Sequence, residues 1–195
     1  MAETVALDGE LLVIDAAGWL DSARHCASPN HDARPSGSAI GLIVVHGISL
    51  PPGKFGGGYI EQLFQNRLDP NEDDYFREID GLRVSAHCLV ARDGGITQFV
   101  SFLDRAWHAG ASCWNGRECC NDFSIGIELE GCDDLAYEPV QYRQLARLVM
   151  SLRKQYPALQ PEAICGHSDI APGRKTDPGP AFDWAGFKTI ARIPL

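Results

Sequence analysis

Three features of the sequence predict a single α/β domain. Its 195 residues fall within the usual size of one compact domain. Residues 123–130, FSIGIELE, alternate strictly between apolar and small or polar side chains, which is the period of a β-strand. From Pro139, well placed for a first helical turn, Leu145, Leu148, Val149, Leu152 and Tyr156 recur at helical spacing until Pro157 stops the pattern. A 45% apolar share with only 22% charged residues supplies a core and argues against a disordered chain.

The remaining elements follow in order. Residues 40–45, IGLIVV, are β-branched and apolar on both faces and predict a central buried strand ending at His46. The loop 51–58, PPGKFGGG, is backbone-permissive and lies where it can move over His46. A short helix is expected over 59–67, and the whole of 51–80, rich in glycine and charge, is expected to be the most mobile region because it offers little core. Residues 89–91 and 96–100 read as strands of a β-meander joined by a glycine-rich turn at 92–95. In 123–130, Phe123, Ile125, Ile127 and Leu129 share one face, and Ser124, Gly126, Glu128 and Glu130 the other. The helix from Pro139 should cover one face of the sheet, 169–180 should be a structured Pro/Gly loop, and a last helix falls near 181–191. No repeat or linker divides the chain, so 1–195 reads as one domain with a core at about 18–190.

Charge narrows the function. Seventeen Lys and Arg against 26 Asp and Glu give a net charge of −9, which disfavours nucleic acid and anionic membrane as partners. The apolar run 39–45 is far short of the roughly 20 residues a membrane-spanning helix needs. The first basic side chain, Arg24, comes after Glu3, Asp8, Glu10 and Asp15, the reverse of an export signal, so a cytoplasmic protein is expected. Seven cysteines, an odd number without a CxxC pair, fit neither a disulfide framework nor a zinc ribbon, and reduced thiols are expected. No obligate protein partner is evident.

Two histidines stand where α/β folds place ligands: His46 at the end of a buried strand, and His167 after the apolar segment 163–165. Either one alone reads as readily as a hydrogen-bonded core or cap residue. Joined with Asp177 they make two imidazoles and a carboxylate, a donor set known for catalytic zinc, although their spacing is no metal signature by itself. On pattern alone Glu128 belongs to a solvated strand face and Lys175 to the surface.

Read together, residues 85–87 (SAH), 105–110 (RAWHAG), 121–131 (NDFSIGIELEG), 166–167 (GH) and 174–179 (RKTDPG) resemble the zinc N-acetylmuramoyl-L-alanine amidases, relatives of the peptidoglycan recognition proteins. The likeness runs from about 18 to 184, and within the family it is to the cytoplasmic enzymes that act on 1,6-anhydromuramoyl peptides. The resemblance implies a central mixed β-sheet flanked by helices. It implies His46, His167 and Asp177 as ligands of Zn2+, Glu128 as the carboxylate that moves the proton, and Lys175 as a cation beside the metal. Arg83 matches a stem-peptide contact, Trp107 offers an apolar wall, and Arg117 is placed near the substrate by proximity alone. His87 and His108 are read as structural hydrogen-bonders rather than ligands.

Two departures bear on substrate affinity rather than on zinc: Gly47 stands where relatives often have Asn, and Cys119 where some have Arg. The expected activity is hydrolysis of the amide between the lactyl group of (1,6-anhydro)-N-acetylmuramic acid and L-alanine, with an anhydromuropeptide as substrate. The alternatives are an amidase acting on polymeric peptidoglycan and a non-catalytic peptidoglycan-binding module. A cysteine hydrolase is the weakest, since no cysteine has a clear histidine partner in sequence.

Overall fold

The computed structural model describes residues 11–194. Glu3, Asp8 and Glu10, which carry part of the reading against an export signal, lie outside the described residues, as do the extreme ends of the 1–195 domain. Strands β1 (Arg24–His25), β2 (His31–Ala33) and β3 (Leu42–Ile48) precede helices α1 (Tyr59–Phe64) and α2 (Asp74–Glu78). Strands β4 (Cys88–Val90), β5 (Ile96–Gln98), β6 (Asp104–Ala106), β7 (Cys113–Trp114), β8 (Arg117–Glu118) and β9 (Ser124–Glu130) follow. Helix α3 (Pro139–Gln155), strand β10 (Ile164–Gly166) and helices α4 (His167–Ile170) and α5 (Trp184–Ile190) complete the order.

Six strands form a mixed sheet in the order β1-β5-β4-β9-β3-β10. Only β4 and β5 pair antiparallel, as the hairpin the 92–95 turn predicts; all other neighbours are parallel. The expected meander stops at that hairpin, because β6 leaves the sheet to pair with β2. Likewise β3 is next to the edge strand β10 rather than at the centre, and it continues through His46 to Ile48 instead of ending there.

Alternation sorts the two faces. Ile43, Val45, Ile125, Ile127 and Leu129 pack under α3 and α5, whose Leu145, Leu148, Val149, Leu152 and Phe187 close the main core. Burying each such side chain contributes about 1.5–3 kcal/mol, so this face carries most of the stability. Glu138 and Gln141 cap α3 reciprocally, Pro139 fits its first turn, and the buried Gln141 amide donates to the carbonyls of Val90 and Glu130, locking the helix to β4 and β9. Phe123 departs from the expected alternation: its φ of −132° and ψ of 9° fall outside strand geometry, and it joins Leu42, Val44 and Ile170 instead.

The opposite face of the sheet is also covered, by a second apolar layer. Ile60, Leu63, Phe64 and Phe76 of α1 and α2 pack with Leu89, Phe99 and Val100, so residues 51–80 supply more core than their composition predicts. Every residue of β9 is buried, including the four on its polar face, where the His108 ring lies against Gly126 and bonds Ser124. His87 is fully buried; its Nδ1 accepts the Gly126 N–H and its Nε2 donates to the Asp104 carbonyl.

Burial, with the Arg34 charge adding to it, holds the His87 pKa well below the ordinary imidazole value. The unfolded chain then takes up a proton near pH 6.5 that the folded chain refuses, so stability is lost as pH falls below that value. Urea unfolding in the presence of chelator at pH 7.5 and pH 5.5 should show a loss of up to about 1.4 kcal/mol per pH unit below 6.5 from this residue. Equal stability at both pH values would contradict a neutral, buried His87.

Candidate active site

Parallel pairing fixes the site. The β3–β9 register sets His46 beside Glu128, and the β3–β10 register sets Val45 beside Gly166, so His167 follows at the level of His46. Three parallel strands thus deliver their side chains to one crevice at their carboxyl ends, the usual ligand position in α/β sheets. The turn after α4 returns Asp177 to the same point, held there by a bond from the Ser168 N–H to the Asp177 carbonyl.

His46 Nδ1 and His167 Nδ1 lie 3.0 Å apart, and each is 3.1 Å from Asp177 Oδ2. Among the described residues this is the one cluster of three or more His, Cys, Asp or Glu side chains suited to a metal ion. A tetrahedral zinc with bonds of about 2.0 Å holds its ligand atoms roughly 3.3 Å apart, so a few tenths of an ångström of expansion would admit it. Both remaining ring nitrogens are engaged, His46 Nε2 with His108 Nδ1 at 2.9 Å and His167 Nε2 with the Ala109 carbonyl at 3.3 Å. The charge states also suit a cation. Burial lowers the His46 pKa to about 4, leaving a neutral imidazole at pH 7. Burial alone would raise the Asp177 pKa, but its side-chain contacts with His167 and His46 prevail and hold it well below the carboxylate range.

Glu128 is buried, not solvated as its strand pattern predicts, and its Oε2 has no hydrogen-bond partner. Burial, with the Asp177 charge adding and Lys175 opposing, raises its pKa well above the ordinary value. An unpartnered buried carboxyl oxygen costs about 1–3 kcal/mol and is a mark of a working site. Glu128, the metal triplet and Lys175 all line one cleft of about 640 Å³, whose other wall is apolar and includes Leu63, Tyr75 and Leu82.

The remaining expected contacts divide. Arg83 is exposed and lines a smaller pocket of about 80 Å³ that shares Leu63, Ile79 and Leu82 with the cleft. Trp107 is half-buried and does not line the cleft; its backbone pairs with Ser85. Arg117 is also absent from it, because its guanidinium stacks on Phe123 at 3.8 Å and donates to Ser38. Cys119 opens onto a separate pocket beside Cys113, and the seven cysteines are unpaired.

Sequence reasoning missed several supporting residues. Arg174 donates to the carbonyls of Ala109 and Ala111, tying the Asp177 turn to the segment around His108. Tyr137 is buried, with its hydroxyl donating to the Pro178 carbonyl next to Asp177. Gly131 accommodates its ring and Gly47 its hydroxyl: a Cβ would come within 2.3 Å of the ring at the first and of the oxygen at the second. Tyr137 falls outside the helical pattern of α3 and carries no local motif, so only the closeness of two glycines marks it.

The chain belongs to the N-acetylmuramoyl-L-alanine amidase family, which residues 36–180 match. Within the family its similarity is to AmpD. The 1,6-anhydro-N-acetylmuramyl-L-alanine amidase AmpD of Citrobacter freundii is 57% identical over 173 residues, 89% of this chain and 92% of the relative. A crystal structure of a selenomethionine AmpD derivative superposes with a TM-score of 0.89 at 56% identity, covering 92% of this chain and 99% of that one. The AmpDh3 protein of Pseudomonas aeruginosa, solved in complex with anhydromuramic pentapeptide, matches with a TM-score of 0.58 at 29% identity, covering 92% of this chain and 66% of that one. The mixed sheet with flanking helices that the resemblance implies is the observed fold.

Gly47→Ala should force the Tyr137 hydroxyl away from Pro178 and cost about 1–3 kcal/mol, the usual scale of overpacking. Adding Tyr137→Phe, which removes the clashing oxygen, should recover part of that loss. Urea denaturation of the single and double variants measures both; a Gly47→Ala protein as stable as the parent would contradict the packing described.

Proposed function

We propose that the protein hydrolyses the amide bond between the lactyl group of 1,6-anhydro-N-acetylmuramic acid and L-alanine, with one zinc ion held by His46, His167 and Asp177, in cytoplasmic recycling of peptidoglycan fragments. The observation that carries the reading is the triplet of donor atoms beside an unpartnered, buried Glu128 oxygen at the floor of one cleft. Similarity to AmpD and to a protein solved with an anhydromuramic pentapeptide supports the substrate class. Among the described residues no helix is long and apolar enough to cross a membrane.

Bound there, zinc supplies Lewis acidity, polarising a carbonyl and making water acidic near neutral pH. Glu128 accepts the proton of the attacking water as the new C–O bond forms, and returns it to the alanine nitrogen as the C–N bond breaks. Its raised pKa lets it hold that proton between the two steps. The Lys175 ammonium, exposed on the cleft wall, stabilises negative charge developing on the carbonyl oxygen. Arg83 at the adjoining rim offers a local cation to stem-peptide carboxylates, which the net charge of −9 would otherwise repel.

Metal and chemistry should separate on mutation. The parent should carry one zinc per chain, and His167→Ala should lose it; elemental analysis showing equal zinc in both would remove the ligand assignment. Glu128→Ala should keep zinc and lose roughly 10²–10⁴-fold in turnover of a purified anhydromuropeptide. Near-parental turnover would reduce Glu128 to a structural role.

An anhydromuramoyl tripeptide should have a higher kcat/KM than the same peptide on a reducing muramoyl sugar, and intact sacculi should be cut poorly. Equal constants, or efficient sacculus digestion, would make the protein a general wall amidase.

A further inference from the structure

We propose that His108 is a positioning residue for the metal centre: its Nδ1 accepts the His46 Nε2–H and so fixes His46 in the tautomer whose Nδ1 lone pair faces the ion. The inference rests on the reading that His46 binds zinc through Nδ1. His108 itself stands outside the donor triplet.

The geometry is a directed relay. His46 Nε2 is 2.9 Å from His108 Nδ1, and His108 Nε2 is 3.1 Å from Ser124 Oγ. Two proton arrangements satisfy such a chain. If His46 donates to His108 and His108 donates to Ser124, His46 Nδ1 is left bare and can bind a metal. If Ser124 donates and the chain runs the other way, His46 Nε2 becomes the acceptor and its Nδ1 carries the proton, which blocks ligation. A bound cation selects the first arrangement, and the relay in turn holds a ligand already oriented; groups that support metal ligands in this way commonly account for 10–100-fold in affinity.

The sheet is built to seat this ring. A Cβ at Gly126 would lie 2.4 Å from the His108 ring, so the middle position on the Ser124, Gly126, Glu128 face has to be glycine for the imidazole to lie on the strand. Asn121 Oδ1 accepts the backbone N–H groups of both His108 and Ala109, fixing the ring from its main chain. The polar face of β9 thus divides its work: Ser124 ends the relay, Gly126 gives it room, and Glu128 faces the cleft.

The test measures zinc affinity by competition with a chromophoric chelator, and imidazole tautomers by 15N NMR of the zinc-loaded protein. His108→Phe keeps a ring on Gly126 and removes the acceptor, so zinc affinity should fall 10–100-fold. His108→Asn places an amide oxygen where Nδ1 stood and should recover affinity to within about threefold of the parent. In the zinc-loaded parent, His108 should be neutral with its proton on Nε2, and His46 should carry its proton on Nε2. Unchanged affinity in folded His108→Phe, an Asn variant as weak as the Phe variant, or a proton on His108 Nδ1 in the parent would each overturn the proposal. The NMR measurement needs no variant to fold. A parent that binds no zinc would instead overturn the functional reading, and this one with it.

Discussion

The parallel pairing of β3 with β9 determines almost everything else. It puts His46 beside Glu128 at the same height, and a one-residue slip of either strand would turn that strand's site residue into the α3 core. The same ladder presents Ile43, Val45, Ile125, Ile127 and Leu129 to α3 on the other side, so the packing that stabilises the sheet also fixes the register of the site. With β10 added in parallel, His167 arrives at the same level. The site therefore needs no motif of its own in the chain: it is a consequence of strand register.

That arrangement places two imidazoles and two carboxylates out of water. An unpartnered carboxyl oxygen at Glu128 costs on the order of 1–3 kcal/mol, comparable to what one buried leucine of α3 contributes. The extensive core beneath the sheet offsets it several times over, so the molecule can keep a locally unfavourable group where chemistry needs one. The second apolar layer, built from α1 and α2, matters for the opposite reason. It packs beside Leu89, the β4 neighbour of Glu128, and burial within the fold holds Glu128 and His46 in the protonation states described above.

Much of this was legible in the sequence where the signal is local. The helix from Pro139 and the hairpin around residues 92–95 depend on proline, glycine and apolar period, and both stand as expected. The two histidines and Asp177 were legible as candidates but not as a site, because 121 and 10 residues separate their contacts and only family resemblance joins them. The burial of Glu128 was not legible: period-2 alternation equates a polar face with solvent, whereas here every residue of that face is buried. Phe123 misled for a related reason, since a strand pattern says nothing about where strand geometry begins. Nearness in sequence to the site segments likewise did not reveal that Arg117 stacks on Phe123. The short ladders β2–β6 and β7–β8 and the five-residue α2 depend on long-range packing and left no periodic trace.

Strand register, rather than local sequence, brings His46, His167 and Asp177 together with Glu128 beside them, in the arrangement proposed above to hold zinc. Anomalous diffraction at the zinc edge from crystals of the zinc-loaded protein tests it most directly. One peak is expected, bonded to His46 Nδ1, His167 Nδ1 and Asp177 Oδ2, with Glu128 close by and not a ligand. A peak bonded to Glu128, or one lodged among the cysteines at 113 and 119 with nothing in the cleft, would contradict it.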